Sequence, residues 1–213
     1  MTVSIKIFGD YTCPFCFLSE KVLEEAVKGK DVEIQWMPFE LRPFPFPTLK
    51  PEDDYMQSVW KSSVYPLAEK LDIPIVLPEI SPQPHTFLAH EGYHFANERG
   101  KGNEYNQIVY QAYFQEENDI GDVNVLTRLA GQIGLNEVDF KESLLTRKYK
   151  EIQQKYLEEA TRFQIQSVPT LIIEDKVFTG IRSKETLEKA IEEEAFKKSI
   201  MMDGQSCGID GCC

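Results

Sequence analysis

Two cysteines three positions apart, Cys13 and Cys16, are the residues of this chain best placed to do chemistry. They enclose Pro14 and Phe15 and follow an apolar, β-leaning run from Val3 to Phe8 that stops at Gly9 and Asp10. Helix-type sequence comes next. Thr12 has the side chain of an N-cap, which would put Cys13 in the first helical turn and Cys16 one turn deeper. Pro14 suits that turn, because the N–H groups there have no intrahelical partner to lose. Those unpaired groups and the positive end of the helix dipole favour an anion at Cys13, and the thiolate is the form of sulfur that attacks. On one helix face and within disulfide reach, the pair can cycle between dithiol and disulfide, Cys13 attacking and Cys16 resolving. Half a zinc site has the same spacing. A C-x-x-C that opens a helix straight after a strand points instead to redox work.

The elements that must position this pair are legible around it. Helical spacing of Leu18, Val22, Leu23, Ala26 and Val27 carries the first helix to Lys28, and Gly29 stops it. Asp31–Met37 alternates strictly and reads as a second strand ended by Pro38, so the front of the chain is a βαβ unit with a right-handed crossover. Prolines 43, 45, 47 and 51 then make a loop. Asp53–Leu71 reads as helix with an interruption before Pro66, followed by a second proline-rich loop. Segments 85–99, 103–117, 123–133, 140–145 and 149–163 read as further helices, separated by glycines or by the restart at Asn136. β character returns at Leu171-Ile172-Ile173 and, after a tight turn at Glu174-Asp175-Lys176, at Val177-Phe178. Ser183 caps a last helix with Leu187, Ala190, Ile191 and Ala195 as its buried stripe. The expected class is α/β, in the order βαβ, helical insert, ββα. Residues 1–45 and 164–198 form one domain, 46–163 the all-helical insertion, and 199–213 a flexible cysteine-containing tail.

Composition narrows the function further. A net charge of −12 without a Lys/Arg cluster disfavours nucleic acid and anionic membrane surfaces as partners. No apolar run approaches the roughly 18 residues of a membrane span. Met1 leads directly into the first strand without a leader, so a cytoplasmic setting is expected. All five cysteines fall in two short clusters, which is no structural disulfide framework. The second cluster, Cys207, Cys212 and Cys213, admits three readings: a tethered thiol pair that relays electrons with Cys13–Cys16, an incomplete soft-metal site, or a plain tail with exposed thiols. His90 and His94 share one helix face near His85, a spacing that can bind metal, but no carboxylate completes a site, and ordinary packing or polar surface histidines are expected. Tyr105, Tyr110, Tyr113 and Phe114 read as insert core on the side facing the cysteines. Asp10 reads either as a turn residue or as a buried carboxyl able to shuttle a proton.

Asp10-Tyr11-Thr12-Cys13-Pro14-Phe15-Cys16 at the front and Ser167-Val168-Pro169-Thr170 before the third strand give the chain its likeness. Over about residues 3–198 it resembles the DsbA family of the thioredoxin superfamily, and most of all its FrnE-like branch. The resemblance implies a thioredoxin fold split by a helical domain. It also implies a thiol–disulfide oxidoreductase with Cys13 as nucleophile, Cys16 as resolving thiol and Pro169 as cis-proline. X-Pro bonds are cis in only about 5–6% of cases; with the cysteine pair upstream, the cis form is expected here. Pro14 and Phe15 on one side, and Val168 and Thr170 on the other, are the expected substrate contacts. The implied partners are protein or peptide thiols and disulfides, with glutathione or a thioredoxin-type reductase system as electron source. No cofactor beyond the redox disulfide is expected, and no metal. Pro-Phe between the cysteines matches neither the thioredoxin nor the strongly oxidising DsbA dipeptide, which leaves the direction of electron flow open. The alternative is a glutathione-dependent isomerase or transferase of the hydroxychromene-carboxylate isomerase or kappa-class type. Those share the split fold but typically carry serine where Cys13 stands.

Overall fold

The computed structural model describes residues 2–203. Cys207, Cys212 and Cys213 lie outside them. Four strands, β1 (Val3–Gly9), β2 (Val32–Pro38), β3 (Thr170–Ile173) and β4 (Lys176–Thr179), form one sheet in the order β2-β1-β3-β4. β1 and β2 are parallel, from Val3 opposite Val32 to Gly9 opposite Pro38. β3 runs antiparallel to both β1 and β4, with Phe8 opposite Thr170 and Thr170 opposite Thr179. The C-terminal end of β1, the start of β3 and the end of β4 therefore meet at one edge of the sheet.

Alternation along β1 assigns its two faces. Val3, Ile5 and Ile7 point toward α1 (Pro14–Ala26) and α9 (Lys184–Asp203), which contribute Leu18, Val22, Leu187 and Ile191 to one continuous core. Phe8 joins Met37 and Ile172 on the opposite face, covered by Ala160 of α8 (Lys150–Arg162). Gly9 is required by packing: a Cβ there would run into the indole ring of Trp36. The inserted segment comprises α2 (Asp54–Val59), a π-helical turn (Trp60–Val64), α3 (Tyr65–Leu71), α4 (Phe87–Asn97), α5 (Gly102–Phe114), α6 (Val123–Gln132), α7 (Glu137–Leu145) and α8. The π turn answers the interruption expected before Pro66, with the Tyr65 N–H bonded to the Trp60 carbonyl. Strand, helix, parallel strand, helical insert, hairpin and helix make up a thioredoxin-like fold with a large helical insertion.

Three local expectations are corrected. Thr12 is not the N-cap; Cys13 is, and α1 starts at Pro14. The reason is Asp10, whose carboxylate takes up both the Thr12 N–H and the Thr12 hydroxyl. Helix α1 stops at Ala26 rather than Lys28, because the chain turns through a Lys30 N–H to Val27 carbonyl bond with Gly29 at φ +72°. Helix α9 continues to Asp203, past position 198. Ser183 does cap α9, accepting from the Thr186 N–H at 3.3 Å.

Candidate active site

Cys13 and Cys16 stand as free thiols at the sheet edge where β1, β3 and β4 meet. Helix α1 has no side-chain oxygen at its N-terminus, so the side chain in the capping position is the Cys13 sulfur itself. Its carbonyl accepts from the Cys16 and Phe17 N–H groups at 3.0 and 3.3 Å, which fixes the first turn. Cys13 keeps 5% of its surface exposed and Cys16 none. That difference sets the two cysteines apart. Burial pushes the Cys16 thiol well above its ordinary titration range, and the adjoining Cys13 sulfur pushes it the same way.

The loop before the pair is tied down from behind. Asp10 is buried, and its carboxylate accepts from the Leu41 N–H at 2.6 Å and from the Thr12 N–H at 3.3 Å. Its carbonyl accepts from the Cys13 N–H at 3.1 Å and from the Tyr110 hydroxyl at 3.2 Å. Tyr11 is fully buried, stacks on His90 and donates to Asn106 Oδ1 at 2.5 Å. Two helices of the insertion, α4 and α5, thus hold the segment that presents Cys13. Tyr105, Tyr110, Tyr113 and Phe114 are all buried as insert core, and the Tyr110 hydroxyl touches the cysteine loop directly.

The opposite side is built by the turn before β3. The Val168–Pro169 peptide bond is cis, and the Val168 carbonyl lies 3.8 Å from the Cys13 sulfur. The Pro169 carbonyl accepts from the Gly180 N–H at 2.8 Å, and the Thr170 hydroxyl donates to the Ser167 carbonyl at 2.8 Å. Gly180 has φ +77°, a conformation that a side chain would strain. Phe15, Val168 and Ile181 keep part of their apolar surface in solvent on this side. Cys13, Pro14, Phe15, Cys16, Val168, Pro169 and Thr170 are therefore gathered at one edge.

Sequence reasoning passed over Tyr11, Asn106 and Gly180. Only Gly180 left a local sign, a glycine directly after a strand; the Tyr11–Asn106 pairing is 95 positions apart and leaves none. His90 and His94 are buried packing residues. Burial pushes His94 down to about 4, with its ring against the Gln153 amide oxygen at 3.0 Å. Among the described residues no group of three or more His, Cys, Asp or Glu side chains is arranged to hold a metal.

Residues 4–192 match the DSBA-like thioredoxin domain. The chain belongs to that family. Membership makes it a DsbA-like thiol–disulfide oxidoreductase, acting on thiols and disulfides. It is 51% identical over 200 residues to the uncharacterised protein YwbO of Bacillus subtilis (strain 168), covering 93% of this chain and all of that one. Among solved structures it is similar to the probable DsbA oxidoreductase SCO1869 of Streptomyces coelicolor, with a TM-score of 0.75 and 20% identity over 99% of this chain and 98% of that one. It is also similar to a 2-hydroxychromene-2-carboxylate isomerase (TM-score 0.72, 15% identity, 96% and 100% covered). A third likeness is to the cytosolic disulfide reductase DsbM of Pseudomonas aeruginosa with GSH (0.68, 14%, 93% and 99%). Among the described residues no helix is long and apolar enough to cross a membrane.

Proposed function

We propose that Cys13 is the nucleophile and Cys16 the resolving thiol of a disulfide exchange with extended thiol-bearing peptides or glutathione. The observation that carries this reading is the unequal burial of two free thiols, the outer one at a helix N-terminus and 3.8 Å from the carbonyl before a cis-proline. In the reducing direction the Cys13 thiolate attacks a substrate disulfide, forming a mixed disulfide and releasing one substrate thiol. Cys16 then loses its proton, attacks the Cys13 sulfur and releases the second thiol, so two electrons pass to the substrate. In the oxidising direction the same steps run backwards. Val168, Thr170, Pro14 and Phe15 are the substrate contacts, with Pro169 turning the backbone so that its neighbours can pair with an extended chain.

A cytoplasmic, reducing role in an FrnE-like branch, with glutathione as electron source, draws support from the likeness to a cytosolic reductase bound to GSH. The tail cysteines Cys207, Cys212 and Cys213 are proposed as a relay to the pair. The isomerase likeness keeps the glutathione-dependent alternative in view, but Cys13 and Cys16 supply a complete redox pair that such chemistry does not use. The test is exchange with a disulfide-bonded protein and with glutathione. Cys13→Ser should fall to the uncatalysed background, and Cys16→Ser should accumulate a mixed disulfide on Cys13. Retained exchange in Cys13→Ser would overturn the assignment. Loss of turnover on truncation before Ser206, with Cys13–Cys16 exchange intact, supports the relay; unchanged turnover removes it.

A further inference from the structure

Behind the cysteine loop lies a buried polar cluster that the exchange reaction does not use. His90 of α4 has no exposed surface, and its Nε2 stands 3.7 Å from Asp10 Oδ1. Neither ring nitrogen has a hydrogen-bond partner within the protein, although the ring is held face to face on Tyr11 with centroids 4.9 Å apart. A wholly buried imidazole with both nitrogens unpaired is costly, and a carboxylate beside it offsets part of that cost by charge when the ring is protonated.

The other charged groups around the cluster are already engaged. Arg147, before α8, is held by Glu91 of α4 through bonds of 2.6 and 2.9 Å. His94 is turned to Gln153 of α8 and is kept neutral at neutral pH by burial. Glu40, after β2, has its carboxyl pushed up by burial, with His90 pulling the other way. Tyr11 faces the ring but is fully buried and titrates well above its ordinary range, chiefly through that burial. His90 is thus the base that faces Asp10.

We propose that His90 is a positioning residue for the cysteine pair: as an imidazolium 3.7 Å from the Asp10 carboxylate it offsets the charge carried by the loop that presents Cys13. With the proton present, ring and carboxylate together are neutral. Without the ring that offset is lost, while the Leu41 and Thr12 N–H groups still hold the carboxylate in place. A negative charge one turn from the sulfurs opposes thiolate formation. Through α4, the helical insertion would tune the acidity of the pair as well as hold it. This inference rests on Cys13 being the reacting sulfur.

The experiment reads acidity rather than turnover, so its failure is separable from failure of that assignment. In full-length Cys16→Ser protein, the rate of Cys13 alkylation is followed against pH by the mass of the fragment that carries it. His90→Phe, which keeps a ring on Tyr11, should raise the midpoint so that Cys13 becomes about a tenfold weaker acid, the lower end of what a nearby charge does. Adding Asp10→Asn should return the midpoint to its starting value. A loosened loop alone would change the rate at every pH and would not be reversed by Asp10→Asn. An unshifted midpoint in His90→Phe, or a double variant that stays shifted, overturns the proposal. Should His90→Phe not fold, His90→Gln, polar but never charged, should show the same shift and the same reversal by Asp10→Asn, and the absence of either overturns the proposal equally.

Discussion

The two walls beside the cysteine pair are built by opposite rules. On the insertion side, Tyr11, His90, Asn106 and Tyr110 are buried and aimed, and the hydroxyls of Tyr11 and Tyr110 tie the cysteine loop to α5. On the proline side, one 3.8 Å contact approaches the sulfur, and Phe15, Val168 and Ile181 remain partly in solvent. The first wall spends its contacts on the protein itself. The second leaves contacts free. One side fixes the loop that carries Cys13, and the other leaves apolar surface in solvent.

Substitutions on each wall sharpen that contrast. Tyr110→Ala should cost about 3–5 kcal/mol, the range for truncating a large buried aromatic, whereas Phe15→Ala should cost under about 1 kcal/mol and raise KM for peptide substrates. Urea midpoints and steady-state kinetics check both. Equal losses of stability would erase the distinction between the walls. Gly180→Ala should cost about 1–2 kcal/mol, because its backbone is left-handed. It should also loosen the Pro169 turn, lowering exchange with peptide substrates more than alkylation of Cys13.

A different kind of effect, a pH slope, is expected from behind the held wall. Glu20, in a pocket of about 190 Å³ with Trp36 and Asn106, is pushed by burial up to about 8. The folded protein then holds a proton that the unfolded chain releases near pH 4.3, so stability should fall as pH rises from there to about 8. His94, down at about 4, works oppositely below its ordinary value near 6.5, where the unfolded chain takes up a proton first. The two slopes offset each other below that value, leaving Glu20 to dominate between about 6.5 and 8. Glu20→Gln should flatten that upper region in urea unfolding, and an undiminished slope would assign it elsewhere.

What the sequence made legible follows interaction range. Period-two and period-3.6 patterns located the strands and helices, Pro66 marked the π turn, and Ser183 marked the start of α9. The cysteine pair was visible because both sulfurs sit within one turn of helix. Its surroundings were not. The Thr12 cap was lost to Asp10, a competition that turns on where a carboxylate points. His90 meets Asp10 only after α4 docks, and in the sequence it reads as an ordinary packing or surface histidine with no partner indicated. The cis-proline was expected only in combination with the distant cysteine pair, because neighbouring residues alone leave the trans form the commoner choice.

The complete burial of Cys16 has a consequence beyond the order of exchange. What exposure the pair has lies on Cys13, and Cys16 has none. A sulfenic acid formed at Cys13 stands within one helical turn of a protected thiol, which displaces water and closes the pair. Such an oxidation would end with the oxidant's oxygens released as water and the two sulfurs joined in an ordinary, reducible disulfide, short of the irreversible states. The shielded cysteine acts as a fuse that can be reset.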